Sequence, residues 1–235
     1  MRQKIALFPL ASLGVSRYDR GMNKNKNESV MINLVKTEDG LAYDVTIQKE
    51  TATLWQYIKA LDDFLEEKVA PCLGCDSCCY QRIPLTLPDI YGYAGREKES
   101  IANFLRQHAE ICKKGFALDI QLRQGEDGIC TFLDGEEQRC TDHSHRSLVC
   151  HTYICLPQTG RARKMREYLI NEGEDALAGA LFQMGLCDQW RDLQENYPLK
   201  PQWQNKTYEE IFLKNVLTSD LWEILTAPSS LEIIG

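Results

Sequence analysis

The chain has 235 residues, 43 % hydrophobic and 26 % charged, an ordinary globular composition that excludes general disorder. Its 27 basic and 34 acidic side chains leave a net charge of −7. That argues against nucleic acid or an anionic membrane as the main partner, because both call for a basic surface. Its length can bury a core without crosslinks, so its ten cysteines need a chemical reason.

Residues 1–27 read as a loose extension. Arg2 and Lys4 precede an apolar stretch from Ile5 to Val15, but Pro9 breaks it, and no small-x-small cleavage site follows. Met22 opens a polar run suited to a cytosolic start and is an alternative first residue to Met1. No stretch reaches the roughly 18 apolar residues of a spanning helix, so a cytoplasmic protein without a membrane anchor is expected. Thiols stay reduced there, which disfavours five disulfides.

Residues 29–48 predict a hairpin, with Val30–Val35 and Leu41–Ile47 flanking Glu38-Asp39-Gly40. A helix is expected from about Thr53 to Lys68, because Leu54, Tyr57, Ile58, Leu61 and Leu65 share one face. Pro71 then turns the chain out before Cys72, so the helix acts as a post carrying the cysteine loop. Thr86-Leu-Pro-Asp89 reads as a capped helix start, with Gly95 as its stop. A second amphipathic helix is predicted over about 98–113, with Ile101, Phe104, Leu105, His108, Ile111 and Cys112 on one stripe and Gly115 ending it. Residues 116–160 read as irregular or short-stranded, and the chain from Arg161 onward as mostly helical. The expected fold class is α-rich α+β: an N-terminal β-hairpin, amphipathic helices and an irregular cysteine-bound metal centre. Its division is an extension at 1–27, a cysteine-cluster domain at 28–160, and a helical segment at 161–235 packed on it.

Two groups of cysteines carry the chemistry. The first is Cys72, Cys75, Cys78 and Cys79. Two-residue spacings bring sulfurs round to one point, as a tetrahedral zinc with Zn–S near about 2.3 Å requires. The double spacing also matches the opening of a ferredoxin pattern. Neighbouring side chains point apart, so Cys78 and Cys79 are expected to divide between two sites or to span one multinuclear site. The second group is Cys130, Cys140, Cys150 and Cys155. Four and four suit two centres or one larger assembly. Cys112 and Cys187 read instead as small buried hydrophobes. His143, His145 and His151 are candidates to ligate directly or to donate to a sulfur, and Arg146 to donate to a sulfur or to brace Asp142. His108 reads as a half-buried helix residue, and Trp55, Trp190, Trp203 and Trp222 as core or interface.

These residues resemble the bacterial CxxCxxCC family, the YkgJ-like zinc- or iron-chelating domains. The resemblance covers about residues 72–155. It rests on Cys72–Cys79, Ile83-Pro-Leu-Thr-Leu-Pro-Asp-Ile90, the Gly-x-Cys-x-Phe-Leu-Asp run at 128–134, Arg139-Cys140, and Arg146 before Cys150. It implies a metal-chelating domain using eight cysteines. Two positions depart from the family pattern. Ser147 stands where the family has proline, which predicts a looser turn, and His151 stands where arginine is usual, which adds a ligand or removes a charge.

The cofactor expected is an iron–sulfur cluster or zinc, with the triple spacing and sulfur-rich donor set leaning toward iron–sulfur. The functions that follow are a redox or accessory metal protein, a structural zinc domain for protein contact, or a protein-modifying enzyme. The last comes from larger relatives resembling flagellin lysine N-methylases, which use S-adenosylmethionine. No nucleotide loop or catalytic triad pattern stands out. The basic run Arg161–Arg166 reads as a solvated helix start, and another protein is the expected partner.

Overall fold

The computed structural model describes residues 28–69, 76–97, 100–143 and 146–234. The extension read at 1–27, together with Cys72, Cys75 and His145, lies outside them.

The hairpin forms as its turn chemistry predicts. Strands β1 (Val30–Thr37) and β2 (Gly40–Ile47) pair antiparallel from Val30↔Ile47 to Thr37↔Gly40. Gly40 takes φ +122°, a backbone angle that side chains resist. Helix α1 (Leu54–Lys68) packs on β1. Thr53 and Gln56 form a capping box at its start, worth about 1 kcal/mol. Leu54, Tyr57, Ile58, Leu61 and Leu65, the predicted face, are all buried, each contributing roughly 1.5–3 kcal/mol.

Helix α2 (Leu87–Glu97) runs through Gly95 rather than stopping there. A glycine inside a helix costs about 1 kcal/mol, and buried Leu87, Ile90, Tyr93 and Ala94 outweigh it. The helix read at 98–113 needs a larger correction. Helix α3 covers only Ile101–His108, and β3 (Ala109–Lys114) pairs with β4 (Ala117–Leu122) across a turn with Gly115 at φ +63°. Leu118, Ile120 and Leu122 alternate into the core, and a half-buried strand needs a hydrogen-bonding neighbour. That neighbour is the stretch that carries Ile111, opposite Ile120. Cys112 therefore sits on a strand, partly exposed, with its Sγ 3.3 Å from Glu110 Oε1, and is not the buried hydrophobe expected.

Two short strands, β5 (Leu133–Asp134) and β6 (Arg139–Cys140), and a single helical turn, α4 (Leu148–His151), follow. Helix α5 (Gly160–Gln183), capped by Thr159, runs through the middle of the molecule against β2, α2 and β4. A 3-10 stretch (Asp188–Asn196), α6 (Leu213–Val216), α7 (Ser219–Thr226) and β7 (Glu232–Ile233) complete the chain, and β7 pairs with β1. The fold is thus mixed helix and sheet with an N-terminal hairpin. One apolar cluster runs from Val30 to Leu225, with Cys187 inside it as read. Trp203 is fully buried, while Trp55, Trp190 and Trp222 pack on the cluster's margin.

Candidate metal centre

Cys78 and Cys79 lie on a 3-10 turn, Ser77–Tyr80. The Cys79 N–H donates to the Asp76 carbonyl at 2.7 Å, and the Gln81 N–H to the Cys78 carbonyl at 3.1 Å. The chain after the turn is tied to β4, with the Leu85 N–H on the Ile120 carbonyl and the Leu122 N–H on the Ile83 carbonyl, 2.8 and 2.9 Å. Arg82 adds a grip, donating to Asp119 on β4 and to Glu174 on α5. The cysteine turn is therefore anchored to the two elements behind it.

The second group arrives from three places. The Cys130 N–H donates to the Cys79 carbonyl at 2.9 Å, a direct backbone link between the two groups. Cys140 is held on β6 opposite Leu133. Cys150 rides on α4, whose first N–H, that of Leu148, donates to Asp89 Oδ1 at 2.9 Å. Asp89 is buried. Its Oδ2 accepts from the Thr86 N–H and hydroxyl, both at 2.7 Å, and its Oδ1 also takes the Tyr208 hydroxyl. Burial pushes its carboxyl up, and the donors from Tyr208, Thr86 and Leu148 act against that rise. One carboxylate thus caps α2, starts the turn that bears Cys150, and ties in the C-terminal segment.

The result is one small chamber of about 40 Å³ walled by Cys78, Cys79, Cys130, Cys140 and Cys150. Its other walls include Tyr93 and Phe132, whose rings stack at 5.5 Å, and the polar side chains of His143 and Arg146. His108 stacks on Phe132 behind this wall, half-buried as read. None of the eight described cysteines is in a disulfide. Burial pushes the thiols of Cys79, Cys130, Cys140 and Cys150 up, that of Cys150 to about 12, and the neighbouring sulfurs add to the rise. Several thiolates side by side in such a place are unfavourable unless a cation shares the space. A metal ion would supply that charge, binding by displacing the thiol protons. The donor set therefore fits zinc or iron. Among the described residues, no three His, Cys, Asp or Glu side chains stand in ligating geometry around one point.

The polar neighbours are fixed by a residue that sequence reading missed. Asp62, on the rim of α1, accepts from Arg146 Nη2 at 3.0 Å and lies 3.4 Å from His151 Nδ1. Arg146 and His151 are both nearly buried, with side chains 10 % and 5 % exposed. Arg146 thus has Asp62 as its ion-pair partner, and its buried Nε, with no hydrogen bond among the described residues, belongs to a side chain that lines the chamber. His151 packs toward Asp62 and is not on the chamber wall. His143 is on that wall, and its buried Nε2 has no hydrogen bond among the described residues. Burial, then the Arg146 charge, lowers its pKa, which leaves a neutral imidazole suited to ligation. At Ser147, φ is −62°, the value a proline would hold. The Ser147 hydroxyl donates to Cys150 Sγ at 3.3 Å. Cys155 is exposed and is not among the residues walling the chamber.

A chamber walled by sulfur from several separate stretches of chain marks this as a cysteine-cluster protein. Residues 71–171 match the model of the CxxCxxCC family, described as "Putative zinc- or iron-chelating domain". No curated protein and no solved structure matches the chain. Among the described residues no helix is long and apolar enough to cross a membrane.

Proposed function

We propose that this protein holds one multinuclear metal centre in the sulfur-walled chamber, an iron–sulfur cluster in preference to zinc, and serves a redox or accessory role. The observation that carries this reading is the convergence of Cys78, Cys79, Cys130, Cys140 and Cys150 on one small space. A structural zinc takes four ligands. Five cysteines on one wall exceed that number before Cys72, Cys75 and Cys155 are considered, so a centre with more than one metal ion uses the donors better.

These five cysteines would hold the group, with His143 as the nitrogen donor nearest to hand. Arg146, fixed by Asp62, would place positive charge beside the thiolates and temper the negative charge of the site. Tyr93 and Phe132 would keep water from the sulfurs, and an iron–sulfur cluster there would supply one-electron transfer. A structural zinc domain is the second reading; the family description names zinc and iron alike. An enzyme related to flagellin lysine N-methylases is a third, tested by S-adenosylmethionine binding, and the expected partner in the first two readings is another protein. Protein purified without oxygen decides among them through metal and sulfide analysis and a visible spectrum. Iron with acid-labile sulfide and a broad visible band supports the first reading, colourless zinc protein supports the second, and metal-free protein contradicts both.

A further inference from the structure

A second cavity, of about 220 Å³, shares Cys78 and Cys150 with the sulfur chamber. Its polar wall is Gln81, Arg82, Tyr153 and Arg166. The two arginines differ in a telling way. Arg82 is neutralised by Asp119 and Glu174. Arg166, half-buried on α5, makes one hydrogen bond among the described residues, from Nε to the Thr152 carbonyl at 3.0 Å. Its terminal nitrogens have no acceptor and no carboxylate there. A half-buried guanidinium without a counter-charge is costly, and its fork matches a carboxylate or phosphate. The neighbouring Arg163 and Lys164 are exposed on the same helix start and also lack carboxylate partners among the described residues, whereas Arg161 is paired with Asp44. Of the two arginines that line the cavity, Arg166 is thus the one whose charge no carboxylate offsets among the described residues.

We infer that this cavity binds a small oxyanion, a phosphate or a short carboxylate, on Arg166, so that the anion lies against the Cys78 and Cys150 side of the metal centre. The placement beside a metal centre rests on the function proposed above; the anion site itself does not. The cavity is smaller than the roughly 300 Å³ at which ordinary small-molecule pockets begin, so a ligand of a few heavy atoms fits and a nucleotide does not. This gives Arg166, at the end of the basic run at 161–166, a task beyond solvation.

The test is calorimetric titration of the full chain with inorganic phosphate and, separately, malonate at fixed ionic strength, with metal content measured on the same samples. The wild type is expected to bind one of the two saturably, and which one it binds separates the two sources of oxyanion. Arg166→Gln is expected to weaken binding about tenfold or more, and Arg166→Lys to weaken it less, because it keeps the charge and loses the fork. Arg163→Gln and Lys164→Gln are expected to bind nearly as the wild type does. No saturable binding by metal-loaded wild type overturns the inference. So does binding that survives in Arg166→Gln, or an Arg166→Gln protein whose only defect is lost metal, which would make Arg166 a counter-charge for the thiolates. Wild type that binds the anion yet holds no metal overturns the metal reading and leaves the anion site standing.

Discussion

Asp62 holds Arg146 with its carboxylate and lies 3.4 Å from His151 Nδ1, which makes no hydrogen bond among the described residues. Asp62→Asn keeps the size and removes the charge, leaving a nearly buried guanidinium without its ion partner. Losing a charged hydrogen bond of this kind costs about 2 kcal/mol, and misplacing a group beside ligands typically weakens metal binding by about 10–100-fold. Urea denaturation and a competitive metal titration check the two effects, and a variant with wild-type metal affinity would mean that the clamp serves the fold alone. Asp44 offers a pH test. Burial pushes its carboxyl up, but hydrogen bonds from Arg161, Ser229 and Thr159 and the Arg161 charge prevail and hold it below the ordinary carboxylate value. A depressed folded pKa stabilises fully above the unfolded value near ~3.9 and loses that stabilisation as pH falls through the folded one. The wild-type urea midpoint is expected to fall below about pH 4. Asp44→Asn, which leaves Arg161 short of its charge partner, is expected to be about 3 kcal/mol weaker at neutral pH and flatter below pH 4; parallel curves would contradict this. Neither role shows in sequence, because Asp62 meets Arg146 across 84 residues and Asp44 meets Arg161 across 117. Patterns within a few residues carry no signal of such pairs.

At the scale of elements, α5 brings the pieces of the site together, and Gly173 sets how closely it packs. A Cβ there would lie 2.7 Å from the Thr86 side chain and 3.2 Å from Trp203. Gly173→Ala gains up to about 1 kcal/mol in helix propensity, but the packing conflict costs about 1–3 kcal/mol and should win. Thr86 also donates to Asp89, which starts α4 and so positions Cys150. The expected outcome is a lower melting temperature together with weaker metal retention; a rise in melting temperature would show that Thr86 and Trp203 yield freely. The hairpin and α1 were legible because turn residues and a 3.6-residue stripe are local signals. The stretch 109–114 was not. Ile111 and Cys112 continue the apolar stripe of α3 by coincidence, and the strand partner that claims them begins only at Ala117. Pairing outweighed periodicity.

Across the whole molecule, one apolar cluster from Val30 to Leu225 embeds the sulfur chamber, with Cys79 and Cys130 counted among its buried residues. The two cysteine groups were legible from spacing, and the structure brings Cys78, Cys79, Cys130, Cys140 and Cys150 to one space. That these five share one chamber was not legible, because the convergence depends on Asp89, Asp62 and the backbone bond from Cys130 to Cys79. The separation of Cys112 from Cys187 also depends on tertiary packing, since one lies on a half-exposed strand and the other in the core.

The most direct measurement is metal stoichiometry in cysteine variants purified without oxygen. Cys79→Ser, Cys130→Ser and Cys150→Ser are expected to lose most of the bound metal, while Cys112→Ser and Cys187→Ala retain the wild-type amount. Equal retention across all five variants, in folded protein, would contradict the claim that the sulfur-walled chamber is the metal centre.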